Sequence, residues 1–203
     1  MELGAAAPTP RVRPPMDAAA RVAETAAQAA TLGDWGPIFV YGSFSMPQAW
    51  MPLLGRVPEM TAATLRGHVR RSVRQGIWCA SGFGGFAALM EDPDGFVIGQ
   101  LVTGLRPAER RLLDHAVDDG FELATVKVRS LGETIGDLEC VTYRWREEFE
   151  DALDGEKDWD IEVYMEEHLD EFMELCTDMR KSHDLESLSD EDLKARMLSR
   201  RRR

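Results

Sequence analysis

Cysteine is scarce in this chain of 203 residues, and the three present, Cys79, Cys140 and Cys176, lie far apart with no Cys-x-x-Cys spacing. That pattern argues against a structural zinc site and against a disulfide framework, and makes a reducing compartment the simpler expectation. Histidines are few as well: His68, His115, His168 and His183 show no metal-ligand spacing, so neither metal nor cofactor is expected. No run approaches the roughly 18 consecutive apolar residues that a membrane span requires, which points to a soluble protein without a membrane partner. The amino-terminal region lacks a secretory apolar core, and its Arg11, Arg13 and Arg21 stand beside Glu2 and Asp17. The cytoplasm is the expected location, with the mitochondrion as the alternative. No internal repeat is visible.

Basic residues are also short, 24 Lys and Arg against 36 Asp and Glu for a formal charge of −12. The imbalance is local: between residues 147 and 174 there are 14 acidic side chains and one basic, Lys157. Phosphate binding needs clustered Lys and Arg, so this distribution argues against nucleic acid.

What is there divides into four stretches. Residues 1–15 hold four prolines and few large apolar groups, too little to offset the entropy of ordering, and a flexible tail is expected. Residues 16–33 are Ala-rich, with Asp17 placed as an N-cap and Gly33 as a stop, which predicts a weakly packing helix. From residue 37 to 147 short apolar runs alternate with Gly, Pro and Asp, predicting strands over 38–41, 65–73, 86–90, 96–105, 121–128 and 140–145. Asp92-Pro93-Asp94-Gly95 reads as a turn, and residues 107–116 as one short helix with Pro near its first turn. The expected fold class is α+β, a small mixed or antiparallel barrel flanked by helices. Residues 148–203 are expected to form an acidic helical extension, in which Ile161, Met165, Leu169, Phe172, Cys176 and Met179 make one apolar stripe, ending in the basic tail from Arg200 to Arg203.

The chemistry-bearing motif is Tyr41-Gly42-Ser43-Phe44, where an apolar strand turns sharply at a glycine. A Gly-Ser turn at a strand end gathers successive backbone N–H groups into one small space, a geometry that binds carboxylates. No Gly-x-Ser-x-Gly elbow surrounds Ser43, so a nucleophilic serine is not the reading. Arg66, His68 and Arg70 alternate along a strand, with Arg71 and Arg74 nearby; a solvated face, or pairing with the acidic helix, is expected rather than an anion or RNA contact.

Together these segments resemble the gamma-glutamylcyclotransferase-like family, in its plant and fungal branch, over roughly residues 37–175. Phe39 to Phe44 is similar to the family's opening strand and Tyr-Gly-Ser/Thr-Leu loop, and Leu65-Arg66-Gly67-His68 to its second strand. Phe86-Ala87-Ala88-Leu89 stands where the family often has an aromatic-Pro-Ala pair. Leu113-Asp114, Phe121-Glu122 and Thr125-Val126-Lys127-Val128 match a helix end and strand without a gap, and Val141-Thr142-Tyr143-Arg144-Trp145 resembles the last barrel strand. Trp159-Asp160-Ile161 leads into the acidic helix as in that branch. The resemblance implies cyclisation of a gamma-glutamyl amide: the α-amine attacks the γ-carbonyl carbon, the amide C–N bond breaks, and 5-oxoproline and a free amine result. It also implies that Gly42, Ser43 and Phe44 hold the α-carboxylate, with Tyr41 and Tyr143 lining the pocket, while a glutamate moves the proton; for Tyr143 a core tyrosine with one satisfied hydroxyl is an equal reading.

At that glutamate's place the chain has Val117, and the neighbouring aromatic is Ala116. Valine carries no proton. Asp118 and Asp119 are the candidate substitutes, although Asp118-Asp119-Gly120 reads more simply as a solvated turn; Glu122 matches a polar position outside catalysis. The expectation is a degenerate enzyme used as a binding or assembly module, with a small carboxylate or gamma-glutamyl ligand and a protein partner through the acidic helix or basic tail. The alternatives are an active cyclotransferase with a relocated acid, and a carboxylate-binding domain without turnover.

Overall fold

The computed structural model describes residues 36–74, 85–117, 120–131 and 137–182. The stretch 1–33 and the basic tail lie outside these residues. In chain order the elements are β1 (Ile38–Val40), a 3-10 turn (Ser43–Ser45), α1 (Pro47–Leu54), β2 (Glu59–Val73), β3 (Ala87–Thr103), α2 (Pro107–Ala116), β4 (Phe121–Ser130), β5 (Asp137–Trp145), a second 3-10 turn (Glu147–Ala152), β6 (Leu153–Asp158) and α3 (Ile161–Ser182).

The sheet closes on itself. β1 pairs antiparallel with β3 and parallel with β5, β5 continues through β4 to β2 by antiparallel pairing, and β2 returns to β3, so five strands form a barrel with no free edge. The expected mixed barrel flanked by helices is what the structure contains. β6 lies beyond residue 147 yet adds to the sheet alongside β2, so the acidic stretch begins with a strand and only then becomes helical. Alternation along the strands places Phe39, Leu65, Leu89, Val97, Leu101 and Val128 in the core with almost no exposure. No helix among the described residues is long and apolar enough to cross a membrane.

Two expectations need correction. Asp92-Pro93-Asp94-Gly95 does not reverse the chain, because β3 runs through it as one strand of 17 residues. The register with β2 passes from Glu91 opposite His68 to Phe96 opposite Arg66, so the four residues oppose only Gly67 and form a large bulge. Pro93 can sit there because the bulge asks no ladder bond of it, and Asp92 closes the bulge by accepting from the Asp94 N–H at 3.0 Å. A Cβ on Gly95 would come within 2.5 Å of the His68 carbonyl, so only glycine lets the chains approach.

The apolar stripe of α3 differs at one position. Ile161, Leu169, Phe172, Cys176 and Met179 lie in or against the core as expected, but Met165 is exposed and Tyr164 is buried in its stead, with His168 partly buried beside it. The exchange follows from an aromatic contact: the Tyr164 ring packs 5.4 Å from that of Trp159, which precedes the helix. The face docks within the same chain, on α1 and on the Ser43–Ser45 turn through the Phe172 and Phe44 rings, 5.2 Å apart.

Candidate active site

One end of the barrel collects the residues of interest, and the strand register explains why. β1 and β5 run parallel with Phe39 beside Thr142, so Tyr41 leaves β1 where Tyr143 approaches the end of β5. β4 begins at Phe121 opposite Trp145, which brings the end of α2, just ahead in sequence, to the same rim. β2 and β3 contribute Arg70 and Ala87, the latter beginning β3 at this rim.

The loop after β1 is held from several sides. Gly42 O accepts from the Ser45 N–H at 2.8 Å and the Ser45 hydroxyl at 2.7 Å, and the Phe44 carbonyl accepts from Trp50 Nε1 at 2.9 Å. A Cβ on Gly42 would lie 3.1 Å from Ala87 Cβ, so a side chain fits only if the strand yields. Ser43 is buried, and the Ser43 and Phe44 N–H groups open the 3-10 turn, where a helical turn provides no acceptors of its own. Tyr41 is turned inward: its hydroxyl donates to the Tyr143 carbonyl at 2.5 Å, and burial raises its pKa further above the phenol range. With the Thr142 hydroxyl donating to Phe39 O at 2.9 Å, two buried side-chain bonds fasten β1 to β5.

Val117 caps α2 in an extended conformation, its N–H bonded to Leu113 O at 3.1 Å and its side chain partly buried against the main core. Asp118 and Asp119 lie outside the described residues. One turn back in α2, a polar cluster appears that sequence reasoning missed. Arg110, 2% exposed, donates from Nε to Asp114 Oδ1 at 2.9 Å, and the Tyr143 hydroxyl donates to the same oxygen. The Arg110 guanidinium lies 5.8 Å from the centre of the Tyr143 ring. Burial and then the Asp114 charge push the Tyr143 phenol well above its usual range, so it serves as a hydrogen-bond donor at neutral pH. The only clue in the sequence was the i, i+4 spacing of Arg110 and Asp114, which reads equally well as a surface pair. The two described cysteines are poor nucleophiles: burial pushes Cys140 and Cys176 each up to about 12.

At the opposite end of α2, Glu109 is buried under Arg56 and Arg106, accepting from Arg56 at 2.8 and 2.5 Å and from Arg106 Nη2 at 2.7 Å. Burial raises this carboxyl, but the two arginines outweigh it and hold it at about 2, against 4.5 ordinarily. A depressed carboxylate stabilises the fold above its unfolded pKa, and that stability is lost as pH falls through the folded one. Because the Arg56 and Arg106 side chains are 38% and 67% exposed, screening limits the contribution to about 2–3 kcal/mol. Urea unfolding at about pH 5 and pH 2 is expected to show the wild type losing that much more than Glu109→Gln; equal losses would remove Glu109 from the account.

A closed five-stranded barrel with a Gly-Ser turn at one rim and a helix roofing that turn is the architecture of cyclotransferase-like domains. The sequence comparisons agree: the profile of the family described as gamma-glutamyl cyclotransferase, AIG2-like, matches residues 38–161, and the chain belongs to that family. Among its relatives in Arabidopsis thaliana, AIG2-like protein C is 29% identical across 67% of this chain and 73% of its own length. Protein AIG2 B is 31% identical across 69% and 76%. A solution structure from the same plant superposes with a TM-score of 0.50 at 25% identity, covering 68% of this chain and 86% of that one.

Proposed function

We propose that this protein is a gamma-glutamyl-ligand binding module descended from a cyclotransferase, with turnover reduced to a trace. The observation that carries this reading is Val117, an apolar side chain packed against the core at the end of α2, on the rim where the Tyr41-Gly42-Ser43-Phe44 loop is kept. The loop supplies carboxylate recognition through its backbone, and recognition of this kind survives loss of the proton carrier. Cyclisation requires the substrate ammonium proton to reach the departing amine, and without a positioned acid-base group the step slows by about 10²- to 10⁴-fold. Any protein partner would meet the outer face of α3, where Glu162, Glu166, Glu167, Asp170 and Glu171 are exposed, because the apolar face is covered by the chain itself. The test is release of 5-oxoproline from gamma-glutamyl amines, paired with direct binding of the same compounds. Binding with negligible release supports the reading, and brisk wild-type turnover sinks it.

Asp114 favours a second reading, an active cyclotransferase with a relocated acid. It stands three residues before Val117, on the same side of α2, and both of its hydrogen bonds fall on Oδ1. Oδ2 is the atom that would exchange the proton. If the wild type turns over, Asp114→Asn is expected to abolish at least about 99% of the activity while binding persists. Retained activity in that variant would exclude Asp114.

A further inference from the structure

Leu65 and Val97 face each other across β2 and β3 inside the barrel, as do Ala63 and Gly99, so the residues between them point outward. Several of these are large and apolar. Phe96 and Ile98 of β3 are 64% and 53% exposed, with Arg66 opposite the first and Thr64 opposite the second. On the other flank of β2, Arg129 of β4 lies opposite Thr64, and Leu131, whose N–H donates to the Ala62 carbonyl, is 57% exposed. Three strands thus share one patch, about 13 Å long from Ala62 to Arg66 and about 10 Å across two strand spacings. It stops at the bulge, past which Arg70 lies opposite the buried Leu89 and faces inward. Apolar side chains grouped in this way, rather than scattered singly, mark a surface that another protein covers.

Charge decides what kind of surface that is. Arg66 and Lys127 are exposed on this face and form no salt bridge among the described residues. On the β5 flank Arg129 is shared with Asp137 at 3.2 Å, and Glu139 lies opposite Lys127. Two copies of the face meeting each other would press Arg66 and Lys127 together, so like does not pair with like. The complement is on the same chain. Val163, Glu166, Glu167, Asp170 and Glu174 recur at spacings of three and four along α3 and are all exposed, so one stripe carries an apolar side chain followed by carboxylates. From Val163 to Asp170 the stripe spans about 10 Å, close to the length of the barrel patch. It cannot reach the patch of its own chain, because the opposite side of α3 is docked on α1 and the Ser43–Ser45 turn.

We infer that the protein partner of α3 is a second copy of this chain, whose outer barrel face at Phe96, Ile98 and Leu131 receives the acidic stripe. The inference rests on the reading of the outer face of α3 as the partner surface and is independent of what the rim binds. Val163 meets the apolar patch, and the carboxylates that follow it meet Arg66 and Lys127. Two unlike faces make a heterologous contact, which closes as a dimer where it forms twice about a twofold axis and otherwise extends as a chain. One helix on one sheet face falls below the roughly 800 Å² per partner of a stable complex, so the association is weak and dependent on concentration.

The test is sedimentation velocity of the full chain. Between about 10 and 300 µM at low salt the average mass of the wild type is expected to rise to that of a dimer or above, and about 0.5 M salt should weaken the association at least about fivefold. Ile98→Glu places a carboxylate on the barrel face, and the double variant Glu166→Lys, Asp170→Lys reverses the stripe; each alone should remain monomeric. Mixed in equal amounts they should associate again, because the first keeps its stripe and the second keeps its barrel face. That rescue distinguishes unlike faces from any contact between like ones. Arg66→Glu carries the test if Ile98→Glu fails to fold. A wild type that stays monomeric at about 300 µM overturns the self-association while leaving α3 open to a different protein and the ligand reading intact. Association abolished by the α3 variant and untouched by both barrel variants overturns the barrel face as the receiving surface, and a mixture that stays monomeric overturns the pairing of the two.

Discussion

Val117→Glu is expected to raise 5-oxoproline release from gamma-glutamyl amines by about 10²- to 10⁴-fold over the wild type, the factor that a positioned general base usually supplies. Nothing else in the reaction calls for protein chemistry, because nucleophile and electrophile belong to one molecule and need only to be held in the folded conformer. The loop proposed to hold it is itself firmly placed. The loop at Gly42 is fastened by Ser45 and Trp50, and β1 is fastened to β5 through Tyr41 and Thr142. Val117 is only partly buried, so a longer polar side chain at the helix end can keep its carboxylate hydrated. Val117→Gln is the control. It has nearly the same shape as glutamate but does not cycle a proton at neutral pH, and it should remain at the wild-type rate. A folded glutamate variant no faster than the glutamine one would mean that the rim is no longer arranged for cyclisation.

The largest loss of stability is expected from Arg110→Met. Arg110 is 2% exposed and neutralises Asp114, itself 10% exposed, at 2.9 Å. Removing one member of such a pair leaves the other charge desolvated without its partner, which costs about 3–5 kcal/mol. In a domain of this size that corresponds to a melting temperature lower by roughly 8–15 °C. Tyr143 should move with it, because its hydroxyl bonds to the oxygen that Arg110 holds in place. Arg110→Met combined with Asp114→Leu removes both charges and should recover much of the loss, since an apolar pair of similar volume can replace a buried ion pair. The double-mutant cycle measures the coupling. A loss below about 1 kcal/mol for Arg110→Met would show that Asp114 is adequately solvated without it.

How much of this was legible in the sequence depended on whether the signal was local. Tyr41-Gly42-Ser43-Phe44 was legible because a strand ending at glycine is written in consecutive residues. Leu113-Asp114 with the gapless run that follows pointed to Val117 in the same way. The Arg110, Asp114 and Tyr143 cluster was not, because Tyr143 reaches α2 only through the register of β5 against β1. Arg70 was grouped with Arg66 and His68 because alternation assumes an unbroken strand, whereas the residues opposite Gly67 break it. Asp92-Pro93-Asp94-Gly95 carries true turn chemistry, yet a bulge uses the same residues for the same conformational reasons. On α3 the stripe was legible except at Met165, which is exposed while Tyr164 turns toward Trp159, a residue outside the helix. α1 and β6 were overlooked because Pro47 and Pro52 flank and interrupt a short apolar run, and Leu153–Asp158 is mostly charged.

The parallel contact between β1 and β5 also governs when the barrel can form. β1 has only three residues, and its ladder partners in β3 and β5 lie about 60 and 100 positions further along the chain. During synthesis its apolar side chains emerge first and wait for the last barrel strand before the ring can shut. The loop that marks the family therefore takes its final surroundings at the end of folding, after the β2–β3 hairpin has had time to assemble. Lesions that weaken β5, even far from the rim, should show first as delayed acquisition of ligand binding.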